Sequence, residues 1–359
     1  MKVLHIVGNK IESSNGIGRL LPEMIEMQNK YSKNMESALF CINDIYNSPE
    51  FEVINKYDVD DKIFDDYNLF IFHGLYFYEY TRLAKKIMSR GKKYFIKPHS
   101  SLIISAQKKS IIKKTLANFL FFKRFVKNAS SIIFTNEDEA KNSLQWNSQF
   151  FYEGNGLSSI QVSEKKLRKK RQPYKFVYLS RIDFSHKGTD ILLDALELLK
   201  EKYGVNNLDL SIYGKGNENE ESQLIDRIQK LNFSGVIFNG PIYGEDKNSM
   251  LYDKDIFILT SRYEGFPMAI LEAMDAGLPC LVTRGVNMTT IIEKHQVGWE
   301  CETTVNGVAE LILSVLKMDS SLIDNMSTCA REYIIKEHNW PSLVNHSESI
   351  YTELYKRNM

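Results

Sequence analysis

Cysteine and proline are scarce in this chain, at 4 and 8 of 359 residues. Cys41, Cys280, Cys301 and Cys329 stand far apart with no CxxC pair. That argues against a zinc site and a disulfide framework, and the expected compartment is a reducing cytoplasm. No run of about 18 uncharged apolar residues occurs, so no membrane-spanning helix is expected. The opening MKVLHIVGNK has too short an apolar run for a signal-peptide core, and no small-residue cleavage site follows. Internal repeats and low-complexity tracts are missing. No GxGxxG follows the first apolar run, which gives a nicotinamide-dependent enzyme poor support. What is present is ordinary for a globular protein, 43% hydrophobic and 25% charged. At about 100–200 residues per domain the length predicts two domains, or one very large one.

The net charge of +1 conceals an asymmetry. Residues 1–171 hold 28 Lys and Arg against 18 Asp and Glu, and the remainder hold 18 against 27. Between Glu79 and Glu137 there are 14 basic residues and no acidic one. Such a shift marks two units with different partners. The basic half is either a solvated surface or a surface for something anionic. No nucleic-acid-binding motif accompanies it.

Short apolar runs alternate with longer periodic stretches. KVLHIV, NLFIFHG, KYFIKPH and SSIIFTN read as strands in the first half. KFVYLSR, LDLSIYGKG, GVIFNGP, DIFILT and LPCLVT read as strands in the second. A loop with Asn15, Gly16 and Gly18 follows the first strand, then a helix from about Leu20. Strand–helix alternation predicts parallel sheets covered on both faces. The expected fold class is α/β, two Rossmann-like doubly wound domains facing across a cleft, with ligands beyond the carboxyl ends of the strands. The domains are expected at 1–162 and 175–339. A basic, polar linker joins them at 163–174, and an amphipathic helix closes the chain at 340–359.

Within TSRYEGFPMAILEAMDAGLPCLVT a buried strand leads through a turn into a helix. Pro267 suits the first helical turn and Gly277 stops the helix. The N–H groups at that helix start, with Gly265, suit an anion such as pyrophosphate. Glu272, deeper in the helix, is placed to accept from a ribose. On spacing alone, Glu264 and Glu272 read equally well as a loop carboxylate and an exposed helix position. In SRIDFSHKG, Arg181 and Lys187 stand six residues apart at a strand end beside a helix start. They suit a diphosphate, and a surface ion pair fits as well. Gly214 and Gly216 form a GxG after a strand, a weak signal alone. Asp253 and Asp255 have DxD spacing but are read as structural.

The stretch EGFPMAILEAMDAGLP resembles the Glu-x7-Glu signature of retaining glycosyltransferases of family 4, enzymes with the GT-B fold. It departs from the family pattern at Asp275, where a small residue is usual. The resemblance implies that Glu272 binds the nucleotide ribose and that Glu264 lies near the donor sugar. It further implies that Arg181 and Lys187 bind the donor pyrophosphate and stabilise the leaving group without a metal or other cofactor. Gly214 falls where the family has a loop along the nucleotide, and Ile242 and Tyr243 where it meets the base. SSNGIGRLLPEM is similar to the family's glycine-rich first loop. HGLY and KPHSSL resemble its HGLW and SPHGML elements, with His99 matching a histidine that contacts the donor sugar and Ser100 replacing the usual glycine. The implied donor site is Gly16, Gly18, Arg181, Lys187, Gly214, Ile242, Glu264, Gly265, Phe266, Pro267, Met268 and Glu272. Glu264, Arg181, Lys187 and His99 are the expected catalytic set, with no metal ligand. By family habit the last helix returns to the first domain.

The expected activity is transfer of a sugar from a nucleotide-diphosphate sugar, UDP favoured, to a saccharide acceptor, lipid-linked, in surface-glycan synthesis. A non-hydrolysing sugar-nucleotide epimerase and a catalytically silent nucleotide-binding subunit are the alternatives. KKSIIKKTLANFLFFKRFVK, read as one helix, places six of seven cations in an arc of about 160° shared with apolar side chains. Lys113, Lys123 and Arg124 are thus candidates for an anionic membrane surface or acceptor. The alternative is a core helix whose lysines snorkel outward. The expected location is cytoplasmic, peripheral at the inner face of the cell membrane.

Overall fold

The structure is a computed structural model that describes residues 1–12, 16–56, 62–108, 110–158 and 172–356. Asn15, Lys109 and most of the expected linker, 163–171, lie outside the described residues. The chain divides into two compact units, Met1–Ser158 with Glu337–Met359, and Ser159–Lys336.

The first unit contains a parallel sheet of seven strands: β1 Lys2–Val7, β2 Glu36–Cys41, β3 Val53–Asn55, β4 Leu69–His73, β5 Lys93–Lys97, β6 Ser131–Phe134 and β7 Phe150–Tyr152. Their order is β3-β2-β1-β4-β5-β6-β7. All five residues of β4 are buried, as expected for a central strand covered on both faces. Leu4, Ile6, Phe70, Phe72, Tyr94 and Ile96 pack on one face, and Val3, Leu69, Ile71 and Phe95 on the other. On this second face Tyr351 of the last helix, Trp340–Lys356, joins the core. That helix is fixed further by Trp340, whose indole N–H donates to Glu23 at 2.9 Å.

The second unit holds six parallel strands: β8 Lys175–Leu179, β9 Asn207–Tyr213, β10 Ser234–Phe238, β11 Ile256–Leu259, β12 Cys280–Thr283 and β13 Gly298–Cys301. Their order is β10-β9-β8-β11-β12-β13. In both sheets the order reverses beside the first strand, at β1/β4 and at β8/β11. Ligands of doubly wound folds collect beyond the carboxyl ends at that switch point. Local chemistry sets the helix ends. Asn217 caps Glu218–Leu231 by accepting from the Glu220 N–H at 2.9 Å. Gly277, at φ +74°, ends Met268–Asp275.

Three local expectations change. The first glycine loop is the opening turn of a helix, Gly16–Tyr31, rather than a loop running to Leu20. Glycine's poor helix propensity hides this start, and burial of Gly18, Leu20 and Leu21 overrides it. Pro267 precedes the helix in extended conformation, and Met268 is the first helical residue. The basic stretch is not one helix. Ser110 adopts φ +60° ahead of Ile111–Ala117, and Asn118–Phe122 form a wider π-type turn before Lys123–Asn128. A constant 100° step therefore fails across it.

Candidate active site

β8 and β11 lie side by side, so the loops leaving their carboxyl ends meet. After β8, Asp183 builds a tight turn. Its Oδ1 accepts from the N–H groups of Ser185 at 3.0 Å and His186 at 2.8 Å and from the Ser185 hydroxyl at 2.9 Å. Its Oδ2 accepts from Arg181 Nη2 at 2.8 Å. The turn delivers Lys187 and Gly188 against β11. Gly188 sits at φ +65°, and a Cβ there would stand 2.0 Å from the Thr260 carbonyl oxygen. Only glycine allows that approach.

Lys187 donates to Oε1 of Glu264, which also accepts from the Ser261 hydroxyl at 2.7 Å. Burial alone would raise the Glu264 pKa. Lys187, His186 and Ser261 outweigh it and hold the carboxyl below its usual range. The His186 Nε2–H donates to the Tyr263 carbonyl at 2.8 Å, so Nδ1 accepts from Arg181 Nη2 at 3.2 Å. The imidazole is stacked on Tyr263 at 4.1 Å. Burial depresses its pKa, reinforced by Lys187 and Arg181 and opposed by Glu264.

Arg181, Lys187 and Glu264 thus form one hydrogen-bonded cluster with Asp183, His186 and Ser261. Its two cations are balanced by two carboxylates. The Arg181 side chain is 57% exposed and that of Lys187 16%, so one cation faces solvent and the other is recessed. An ammonium carries three N–H donors, so Lys187 holds Glu264 with one and keeps others for an anion. The cluster can bind a diphosphate and compensate charge developing on its oxygens.

Glu272 is not part of this cluster. It is buried and pairs with Lys247 at 2.7 Å. Gly265 and Phe266 are buried, while Pro267 and Met268 are partly exposed. Gly214 closes against β8, where a Cβ would stand 1.8 Å from the Ser180 carbonyl oxygen. Its N–H donates to Gly240 O at 3.0 Å, which joins the loops after β9 and β10. Ile242 is partly exposed and Tyr243 exposed. Asp255 and Asp253 serve as struts, accepting from the Lys175 N–H at 2.8 Å and Nζ at 3.1 Å. Among the described residues no group of three or more His, Cys, Asp or Glu could hold a metal ion. Sequence reasoning missed Asp183, His186, Ser261 and Lys247. An Asp two residues before Ser is a turn signal that points to Asp183. The partnership of Lys247 with Glu272, 25 residues away, leaves no such trace.

In the first unit His99 follows β5 at φ +46° and Ser100 at φ +67°. The serine occupies a glycine-like conformation, fixed by its N–H donating to Glu139 at 2.8 Å. His99 Nε2 lies 2.9 Å from His73 Nδ1, and His73 Nε2 lies 2.9 Å from His5 Nδ1. Gly16 is exposed and Gly18 buried. On the basic stretch Lys113, Lys123, Arg124 and Lys127 are exposed. So are Ile111, Ile112, Leu116, Phe119, Leu120 and Phe121, with Ile112 at 83% and Phe119 at 81%. Phe122, Phe125 and Val126 are core. The core-helix reading therefore holds for the last turns alone.

Residues 159–336 match the family described as glycosyl transferases group 1. The mannosylfructose-phosphate synthase of Agrobacterium fabrum is 35% identical over 104 residues, 28% of this chain and 23% of that protein. The UDP-Gal:alpha-D-GlcNAc-diphosphoundecaprenol alpha-1,3-galactosyltransferase of Escherichia coli is 28% identical over 110 residues, 30% of this chain and 28% of that one. The chain spans less than half the length of these curated relatives. The sucrose-phosphate synthase structure from Thermosynechococcus elongatus superposes with a TM-score of 0.74 over 99% of both chains at 16% identity, a likeness of fold.

Proposed function

Over residues 159–336 the chain belongs to the glycosyl transferases group 1 family, and from this we propose that it is a retaining, metal-independent glycosyltransferase using a UDP-sugar. One observation carries the reading: Arg181, Lys187 and Glu264 form a single cluster at the β8/β11 switch point, where a doubly wound unit binds its ligand. The donor diphosphate lies on Arg181 and Lys187, which stabilise the leaving UDP as the glycosidic bond breaks. Glu264 stays ionised beside Lys187, and Glu272 accepts from the ribose. The UDP-sugar and diphosphoundecaprenol-linked acceptor in the name of the E. coli relative support a lipid-linked saccharide acceptor in surface-glycan synthesis. A thermal-shift screen of nucleoside diphosphates, followed by turnover of UDP-sugars with and without EDTA, tests this. Stabilisation by UDP and turnover in EDTA are expected. Loss of turnover on chelation contradicts the metal-free part. Sugar-nucleotide conversion without acceptor would favour the epimerase.

The acceptor's lipid accounts for the first unit's basic stretch. Exposed Ile112, Leu116, Phe119 and Leu120 interleave with Lys113, Lys123 and Arg124 and have no acidic neighbour in sequence. Such a face suits anionic headgroups with side chains dipping below them. Near an anionic leaflet each cation contributes about 1 kcal/mol, enough in sum for reversible peripheral binding. Co-sedimentation with anionic vesicles should exceed that with neutral ones and fall at high salt. Equal binding to both, or no loss when Lys113, Lys123 and Arg124 become Glu, would make the stretch an ordinary surface.

A further inference from the structure

The first unit buries a chain of three imidazoles that the donor site does not explain. β1 and β4 are parallel neighbours with Val7 opposite His73, and β4 pairs with β5 with His73 opposite Lys97. His5, His73 and Lys97 therefore project from one face, and His99 continues it beyond β5. His5 is fully buried and His73 nearly so. At the far end His5 Nε2 lies 2.9 Å from Oε1 of Gln28, on the helix Gly16–Tyr31.

The direction of this chain follows from counting protons. A carbonyl oxygen only accepts, so His5 carries its proton on Nε2. A neutral His5 then has a bare Nδ1, which accepts from the Nε2–H of His73. By the same step His73 Nδ1 is bare and accepts from the Nε2–H of His99. His99 is left with a bare Nδ1. Neutrality of all three rings is supported by their surroundings. Burial lowers His5 to about 4 despite Glu153 nearby, pushes His73 well down, and with Lys97 lowers His99 to about 3. Lys97 and Glu153 are the charged groups facing the chain, and they pair with each other at 2.8 Å. Glu153 also lines the same small cavity as Gln28. The Gln28 amide presents Oε1 to His5.

We propose that Gln28, His5 and His73 are positioning residues that fix the tautomer of His99, holding its Nδ1 bare as an acceptor for a sugar hydroxyl. The proposal rests on the reading that His99 contacts a substrate sugar. Its consequence is that one amide, three side chains away, sets what His99 offers. Were Gln28 turned over with Nε2 toward His5, every proton would sit on the opposite nitrogen and His99 would present a donor. The left-handed backbone at His99 and Ser100, held by Glu139, aims the ring.

The test is 15N-histidine correlation spectroscopy on the full chain at pH 7, with signals assigned by single His→Asn variants. His5, His73 and His99 are each expected as neutral Nε2–H tautomers. In Gln28→Met the acceptor is lost, and the His99 nitrogen shifts should move toward a tautomer mixture. Turnover should fall at least about tenfold with KM little changed, since an orienting partner that fixes a tautomer acts on kcat. Gln28→Glu places a carboxylate beside His5, which should draw a second proton onto that ring and turn His73 and His99 toward their Nδ1–H tautomers. A melting curve for each variant separates misfolding from mispositioning. An Nδ1–H tautomer on wild-type His99, or unchanged His99 shifts in a folded Gln28→Met, overturns the relay. If the shifts move while turnover stays normal in both Gln28→Met and His99→Ala, the sugar contact is wrong and the relay has no catalytic purpose. Neither result touches the donor cluster of the second unit, whose own test is nucleotide binding.

Discussion

Lys247 Nζ lies 2.7 Å from Oε1 of Glu272, and both side chains are almost excluded from solvent. A ribose bound at Glu272 would therefore meet a carboxylate already held in place by a cation. Removing one member of a buried pair leaves the other unpaired, at a cost of about 3–5 kcal/mol. Glu272→Ala thus confuses folding with binding.

Glu272→Gln is the cleaner variant, because it keeps the shape and an acceptor. UDP affinity should fall about tenfold as a charge-assisted hydrogen bond becomes neutral, with a smaller loss of melting temperature than in Glu272→Ala. Calorimetry of UDP binding beside thermal melts checks both. Equal UDP affinity in wild type and both variants would remove Glu272 from the nucleotide site.

Arg181→Ala and Lys187→Ala should each lower kcat by about 10²–10³, the usual cost of one preorganised stabiliser of developing charge. Lys187→Ala also leaves Glu264 buried without its cation, so its melting temperature should drop further than that of Arg181→Ala. Steady-state kinetics with melts would show the split. Near-normal turnover in both would refute the assigned roles.

Much of the second unit was legible in the sequence because its motif residues are contiguous. EGFPMAILEAMD carries the turn, helix and both glutamates in one run, and SRIDFSHKG carries both cations. The strands KVLHIV, NLFIFHG and DIFILT announce themselves by continuous apolar character, which burial on both faces requires. β3, β7 and β13, short edge strands of three or four residues, were passed over, and so was β2, six residues inside the sheet that open on the polar pair Glu36 and Ser37. Their pairing depends on neighbours distant in sequence. Lys247 with Glu272, and Gln28 with His5 and His73, escaped for the same reason. The basic stretch misled in geometry, because the π-type turn at Asn118–Phe122 leaves no mark in a helical-wheel count.

Acid should destabilise the first unit early. His5 and His73 fold in neutral form with pKa values depressed below 6.5, so below that value the unfolded chain binds more protons than the native one. Their stability contribution is complete above pH 6.5 and is lost as pH falls toward about 4, to which burial lowers His5. The slope is at most about 1.4 kcal/mol per pH unit for each histidine. Denaturant titrations at pH 7, 6 and 5 should show it, and His5→Asn should flatten it. A pH-independent midpoint would contradict neutral burial.

Gly188→Ala should lower both stability and donor affinity. Its φ of +65° and the 2.0 Å approach to the Thr260 carbonyl oxygen leave no room for a Cβ. The loss should exceed about 1 kcal/mol, since the native conformation rejects the side chain, and the displaced loop carries Lys187. Gly16→Ala is the control. A Cβ there meets nothing within 4 Å, and its melting temperature should not fall.

Arg181 and Lys187 are proposed to hold a nucleoside diphosphate without a metal. The most direct test is calorimetric titration of UDP into the full chain in EDTA, beside Arg181→Ala and Lys187→Ala. Saturable one-site binding is expected, weakened about 10- to 100-fold in each variant, the worth of one charge-assisted hydrogen bond. Binding that appears only on adding a divalent cation, or that is equal in all three proteins, would contradict it.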